Sequence, residues 1–156
     1  MSHRRKAREV ALKVLYALDV VNKDTGETIE SFWANFEAPD DARTFSSLLV
    51  EGTWQKREYL DQLIGRHSEN WSLARMARVD RNILRMAVYE LLFCDDIPPK
   101  VTLNEAIDLG KIYGSENSGS FINGILDALY VGMREAKPDD QVESSGLPET
   151  QEGGKT

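Results

Sequence analysis

The 156-residue chain lacks the features of several protein classes. Cys94 is its only cysteine, so no disulfide can form within the chain, and the preceding Leu92 and Phe93 favour a buried core residue. His3 and His67 are far apart in the sequence, and no Cys/His spacing indicates a zinc site. No apolar run approaches the roughly 20 residues that span a bilayer, and no apolar signal-peptide segment follows the charged start. We therefore expect a cytoplasmic protein without a metal site.

Catalytic motifs are missing too. The glycines do not lie between a strand and a helix, so no phosphate-binding loop is predicted. Carboxylates are plentiful but show no catalytic spacing, and Glu90 is interpreted as a buried ion-pair partner of Arg85 or Arg81. The sequence predicts a protein that is not an enzyme and uses no cofactor.

Positive charge is scarce overall but concentrated at the start. The formal net charge is −7, yet residues 1–13 carry five basic side chains against one acidic one. Arg4 and Arg8 are one helical turn apart with Arg5 and Lys6 beside them, and this spacing predicts guanidinium groups that hold successive phosphates. Four phosphate contacts to a single strand would lower affinity roughly 20-fold for a threefold rise in salt. The alternative is a solvated helix terminus.

Strand patterns are absent as well, because no segment of four to eight residues alternates between apolar and polar side chains. Apolar residues recur instead at steps of three and four, which predicts helices. In the first helix the apolar stripe comprises Ala7, Val10, Ala11, Val14, Leu15, Leu18 and Val21, while Arg4, Arg5, Arg8 and Lys13 are expected to project elsewhere. A short second helix is predicted around residues 29–36.

A long third helix is predicted from Asp40 or Asp41, either of which would cap it, to about His67. Gly52 lies inside this pattern and suggests a close contact with another helix. Asp80 is predicted to cap the next main helix.

The last two helices have boundary signals of their own. Thr102 and Glu105 have the spacing of a capping box, and Gly114 is predicted to be a C-terminal cap. Residues 115–118 supply capping side chains for a final helix, in which Asn123 is interpreted as buried or capping and Gly124 as a packing position.

The predicted fold is all-α, with about six to seven helices in two packed three-helix subdomains. Residues 1–136 form one domain, with an N-terminal half at about 1–68 and a C-terminal half at about 70–136. Residues 137–156 are rich in Pro, Gly, Ser and acidic side chains, which predicts a disordered acidic tail.

A second candidate contact surface is the polar turn at residues 115–120 and the Phe121 that follows it. Its amides and hydroxyls can read base edges while an exposed Phe121 stacks on a base. The alternative is a capped helix start with Phe121 in the core.

Three blocks of sequence resemble the NusB family of bacterial transcription antitermination factors. They read RRKAREVALKVLYALDV near the start, VDRNILRMAVYELL in the middle and IPPKVTLNEAIDLGKIYGSENSGSFINGILD near the end. With the helices between them, these blocks cover residues 4–129. The resemblance implies an all-α RNA-binding domain.

The resemblance further implies binding of single-stranded boxA RNA from ribosomal-RNA transcripts, together with the ribosomal protein NusE, in an antitermination complex on RNA polymerase with other Nus factors. It assigns RNA contacts to Arg4, Arg5, Lys6, Arg8, Glu116, Asn117, Ser118, Ser120 and Phe121. It assigns partner contacts to Tyr16, Asp80 and Arg81. A homodimer that hides the arginines stays open.

Two positions depart from the family pattern, which often has an acidic residue at Asn117 and a basic one at Ser120. The two changes have opposite electrostatic effects near phosphates, so they should partly cancel. A different class of function stays open, a helical protein–protein adaptor whose basic first helix meets an acidic partner. An RNA-targeting module of a methyltransferase ranks last, since a cofactor-binding sequence is absent.

Overall fold

The computed structural model describes residues 3–21, 30, 31, 34, 39–68 and 72–135. Its helices are α1 (His3–Val21), α2 (Asp40–Gln55), α3 (Arg57–Arg66), α4 (Arg78–Phe93), α5 (Pro99–Tyr113) and α6 (Ser118–Glu135), and a 3₁₀ turn spans Leu73–Arg75. No strand occurs within these ranges, and the predicted all-α fold is confirmed. The short second helix and the acidic tail fall largely or wholly outside the described residues, so they stay predictions.

A division into two units falls between Leu126 and Asp127, within α6. Within the first unit α1 packs against both α2 and α4. The predicted division into halves at residues 68–70 stays a prediction.

The apolar stripe of α1 supplies the middle of the core. Val14, Leu15 and Leu18 are fully buried, and Ser46 of α2 donates a buried hydrogen bond to the carbonyl of Ala7 at 2.9 Å. Each buried aliphatic side chain of this size contributes about 1.5–3 kcal/mol. Packing of α3 and α5 on α4 completes the arrangement.

The predicted long third helix is wrong, because it is divided at Lys56 into α2 and α3. Arg57 donates from Nη1 to the carbonyl oxygen of Trp54 at 2.6 Å, and its guanidinium lies over the Trp54 ring. That carbonyl would accept from the amide of Glu58 in an uninterrupted helix. The predicted close contact at Gly52 is confirmed, since the ring of Tyr89 occupies the space that a Cβ would need.

The predicted capping positions are wrong at three helices, although Asp41, inside the first turn of α2, accepts from the amide of Ala42 at 2.9 Å. α2 follows Pro39 and begins at Asp40, α4 follows Ala77, and α5 follows Pro98, and none of these preceding residues makes a side-chain cap hydrogen bond. Pro99 starts α5 instead, since its fixed φ suits the first helical position and its missing N–H costs nothing there. Thr102 therefore lies inside α5, where it is buried.

The C-terminal cap at Gly114 is confirmed. A Cβ at this position would overlap the side chain of Ser118. The tight turn from α5 into α6 thus requires glycine here. Gly110, one turn earlier, is also close to α6, because a Cβ there would approach Cδ1 of Ile122 at 2.7 Å.

Candidate nucleic-acid interface

The basic start of α1 is tied to acidic residues on other elements. Arg4 donates from Nη2 to Oδ2 of Asp96 at 2.9 Å and lies 4.8 Å over the ring of Phe45. Lys6 is exposed and has no ion-pair partner among the residues that the structure describes. The start of α1 therefore has one unpaired cation, Lys6, and two arginines that are already paired with carboxylates. A phosphate that binds these arginines would have to share them with the carboxylates or displace the carboxylates.

Arg5 has the densest set of contacts at this surface. Its Nε donates to Oε1 of Glu105 at 3.1 Å, and its Nη2 donates to Oε2 of Glu105 at 2.9 Å and to Oδ2 of Asp108 at 2.8 Å. The hydrogen bond and the charge of Glu105 are the main reasons why the pKa of Arg5 is raised. Its side chain is still 42% exposed, so it remains accessible from solvent.

Arg8 does not project away from the apolar stripe, and that prediction is wrong. Its position is in register with Ala11, Leu12 and Leu15 on the core-facing side of α1, and only 3% of it is exposed. Nε and Nη2 donate to the two carboxylate oxygens of Glu90 at 2.7 and 2.9 Å. Because the side chains of both Arg8 and Glu90 are buried, a phosphate cannot reach the guanidinium from solvent.

The interpretation of Glu90 as a buried ion-pair residue is confirmed, but its predicted partners are wrong. Glu90 pairs with Arg8 of α1 and also accepts from the hydroxyl of Thr102 in α5 at 3.0 Å. Arg85 instead pairs with Asp61, and Arg81 with Asp19.

The polar turn before α6 presents some predicted contact residues and buries another. Glu116, Asn117 and Ser120 are exposed, Phe121 is partly exposed and Ser118 is buried. The hydroxyl of Ser118 accepts from the amide of Ser115 at 2.9 Å, so it stabilises the turn. The exposed members are placed to meet a ligand, while Ser118 holds their backbone.

The predictions for Asn123 and Gly124 in α6 are wrong. Asn123 is exposed rather than buried. A Cβ on Gly124 would meet no described atom within 4 Å, so this glycine is not required by packing.

Side chains of α1 and α5 connect the two candidate surfaces. Lys13 places its ammonium 5.7 Å from the centre of the Tyr113 ring, at the end of α5 that leads into the turn. The stem of Lys111 lies beside Gly119 at the start of α6, since a Cβ there would approach Cγ of Lys111 at 3.1 Å. Contacts of Arg5 with Glu105 and of Lys13 with Tyr113 show that α1 and α5 run in the same direction. Lys13, Lys111 and Tyr113 were missed as site residues because their proximity depends on this tertiary pairing.

The predicted partner residues differ in accessibility. Tyr16 is 40% exposed, and Val20, one turn later on α1, is 51% exposed. Arg81 is partly buried and donates to Oδ2 of Asp19 and to the carbonyl of Leu73. Asp80 is buried. The structure thus leaves Tyr16 available at the surface but holds Asp80 and Arg81 in internal positions.

Asp19 connects this region to the core. It accepts from Nη2 of Arg81 at 2.7 Å and from Nδ2 of Asn82 at 2.9 Å, and Nη1 of Arg85 lies 3.4 Å away. Burial acts to raise the pKa of Asp19, but the hydrogen bonds from Arg81 and Asn82 and the charge of Arg85 outweigh it and lower the pKa. Asp19 is therefore a stable carboxylate one turn from Tyr16.

Other chemistries have little support in the described part of the chain. No group of histidine, cysteine or carboxylate side chains there is arranged to hold a metal ion. None of its helices is long and apolar enough to cross a membrane. Cys94 is buried as predicted, and burial, with the charges of Glu90 and Asp96, raises the pKa of its thiol to about 11.

The NusB family model matches residues 5–130. The chain belongs to the NusB family. It is 64% identical over 152 residues to the transcription antitermination protein NusB of Syntrophus aciditrophicus (strain SB), covering 97% of this chain and 93% of that protein.

Solved NusB structures share the fold. A structure of NusB from T. maritima has a TM-score of 0.76 at 37% identity, covering 89% of this chain and 96% of that one. A crystal structure of antitermination factors NusB and NusE in complex with dsRNA has a TM-score of 0.76 at 33% identity, covering 85% of this chain and 98% of that one. Family membership and fold therefore agree over almost all of the described residues.

Proposed function

We propose that this NusB-family protein is a non-enzymatic transcription antitermination factor that binds boxA RNA of ribosomal-RNA transcripts together with the ribosomal protein NusE. RNA would contact Arg4, Arg5 and Lys6, then the exposed turn residues Glu116, Asn117 and Ser120 and the partly exposed Phe121. The complex would join RNA polymerase and other Nus factors in the cytoplasm.

One observation carries the RNA proposal: the basic start of α1 and the exposed turn are joined by the contact of Lys13 with Tyr113. About ten residues of helix separate Arg4 from this contact, so the path is on the order of 15 Å long at 1.5 Å per residue. Such a path suits several nucleotides of a single strand. Bases can stack on aromatic rings while lysine and arginine meet the phosphates.

The burial of Arg8 changes the expected salt dependence. Three phosphate contacts, from Arg4, Arg5 and Lys6, would lower single-strand affinity about tenfold for a threefold rise in salt. Arg8 would act on RNA only by holding α1 against α4 and α5.

The partner proposal rests on the exposed side of α1. Tyr16 and Val20 are neighbours one helical turn apart, and Tyr16 has the ring type that is enriched at protein interfaces. Asp19 and Arg81 beside them are paired with each other, so they would position this surface rather than contact the partner through free charges. A solved NusB relative with NusE and dsRNA is consistent with such a partner.

The test measures affinity for a boxA-like strand, a scrambled strand of the same composition and a boxA duplex, each with and without NusE. We expect the boxA-like single strand to bind most tightly and NusE to strengthen it, since a larger surface offsets the cost of ordering the RNA. Equal affinity for boxA-like and scrambled strands would exclude sequence-specific binding.

Two variants refine this test. Tyr16→Ala should weaken the effect of NusE without changing affinity for RNA alone, and Tyr59→Ala, at an exposed tyrosine of α3, is the matched control. Light scattering with and without RNA would show whether a homodimer competes. A protein partner bound in a salt-sensitive way that RNA cannot displace would favour the adaptor function instead.

A further inference from the structure

The contacts of Arg5 divide its donors into occupied and open ones. A guanidinium has five N–H groups. Three of those on Arg5 donate to the carboxylates of Glu105 and Asp108, and Nη1 donates no hydrogen bond among the described residues. Arg5 can thus offer only part of its donor set to a phosphate while both carboxylates stay in place.

The two carboxylates are not equivalent. Glu105 makes the parallel two-bond contact with Nε and Nη2, is 20% exposed, and has Arg8 Nη1 at 3.9 Å from Oε1. Asp108 makes a single bond to Nη2 and is 44% exposed. Two parallel hydrogen bonds fix the plane of a guanidinium. A single hydrogen bond to an exposed carboxylate places a negative charge beside the guanidinium but orients it only weakly.

The local charge balance follows from this arrangement. Arg5 supplies one positive charge against two negative charges from Glu105 and Asp108, while the nearby Arg8 is already paired with Glu90. The cluster of Arg5, Glu105 and Asp108 therefore carries one excess negative charge beside the unpaired Lys6, and Asp108 is the carboxylate whose removal leaves the two-bond contact in place.

We propose that Asp108 limits the affinity of this surface for RNA by occupying a donor of Arg5, while Glu105 positions the same guanidinium. This charge lowers the affinity of every strand that places a phosphate beside Arg5. Strands that also engage the turn before α6 retain additional base contacts. This inference rests on the proposed RNA-binding function.

Asp108→Asn removes the charge and keeps the shape of the side chain, and Asp108→Ala removes the acceptor as well. A charge about 4 Å from a phosphate in water corresponds to about fivefold in affinity. We expect both variants to bind a scrambled single strand about fivefold more tightly than the unmodified protein at low salt. The ratio should approach one as salt rises, because screening removes the effect of the charge.

Three controls separate this mechanism from others. Glu58→Gln makes the same charge change at an exposed carboxylate of α3 and should leave affinity within about twofold, as expected for a screened distant charge. Arg5→Ala should abolish the gain from Asp108→Asn in the double variant. Glu105→Gln removes an equal charge but also breaks the two-bond contact, so its gain in affinity should be smaller than that of Asp108→Asn because the guanidinium loses its orientation. Thermal unfolding of each variant checks that the fold is retained.

The outcomes distinguish this inference from the proposed function. Equal binding of boxA-like and scrambled strands by the unmodified protein, with a gain in Asp108→Asn, would contradict sequence-specific function but support the role of Asp108. Unchanged or weaker binding by Asp108→Asn, including no binding to either strand, would overturn the role of Asp108. A gain that persists without Arg5 would overturn it too.

Discussion

Arg8 and Glu90 form a buried, two-bond ion pair that joins α1 to α4. The carboxylate also accepts from Thr102, which brings α5 into the same network. A guanidinium so enclosed cannot serve as a phosphate ligand without exposing the core. The residues of the basic start therefore differ in position. Arg8 is buried and stabilises the fold, whereas Arg4, Arg5 and Lys6 are accessible from solvent.

Removal of one member of this pair should strongly destabilise the protein. Glu90→Ala leaves the buried Arg8 with only the more distant carboxylate of Glu105, 3.9 Å from its Nη1, and we expect a loss of about 3–5 kcal/mol in the free energy of unfolding. Urea unfolding of the variant and the unmodified protein measures this loss in the free energy of unfolding. Replacement of both residues by apolar side chains, Arg8→Met with Glu90→Leu, should restore much of the loss. A loss below about 1 kcal/mol for Glu90→Ala, as for an exposed pair, would contradict the structural role.

Two glycines should respond in opposite ways to alanine. Gly52→Ala places a Cβ where the ring of Tyr89 lies, so it should destabilise the protein by about 1–3 kcal/mol through overpacking. Gly124→Ala meets no described neighbour inside α6 and should stabilise by about 0.4–1 kcal/mol, because alanine favours helices and restricts the unfolded chain. Thermal unfolding of both variants checks the prediction, and equal shifts of one sign would contradict it.

The contrast between these glycines shows what sequence patterns can predict. The spacing of apolar residues predicts the all-α elements, and a glycine inside a helical pattern predicts the close contact at Gly52, because both signals are contained in neighbouring residues. The spacing did not separate Arg8 from Arg5, although both lie in one basic run, since the difference depends on Glu90 of α4. Capping motifs also failed at Thr102, where Pro99 starts α5 and the hydroxyl bonds to Glu90 instead.

The candidate site was predicted only in part for the same reason. Exposed residues such as Lys6 and Asn117 follow from charge and turn propensity. Lys13 contacts Tyr113, and Glu105 and Asp108 form ion pairs with Arg5. These contacts can be predicted only when the position of α1 beside α5 is known. No spacing within the sequence contains that information.

Asp19 should make stability depend on pH in the acid range. Its pKa in the folded protein is below the ordinary value of 3.8, so the folded state binds fewer protons than the unfolded state there. The stabilisation is fully present above the ordinary pKa and is lost as pH falls through the lower pKa of the folded state. Asp19→Asn should therefore be less stable than the unmodified protein at neutral pH, and the difference should shrink below about pH 4.

Urea unfolding of both proteins across this range measures the effect. Asp61→Asn is the comparison variant. Asp61 and Asp19 both form ion pairs with Arg85, but Asp61 lies on α3 and Asp19 on α1. A difference for Asp19→Asn that stays constant from neutral to acid pH would show that the side chain acts through packing rather than through its charge.

Lys6 allows the phosphate contacts to be counted. It is exposed and unpaired among the described residues, so its replacement removes a cation without stranding a carboxylate. Lys6→Ala should weaken binding of boxA-like and scrambled strands to a similar degree and should reduce the salt slope by about 0.7, the value for one single-strand phosphate contact. Arg66→Ala, at an exposed basic residue in the last turn of α3, is the control. Filter-binding or fluorescence titrations over a salt series measure both quantities. If Lys6→Ala preserves the slope and only changes preference between the two strands, Lys6 contacts a base rather than a phosphate.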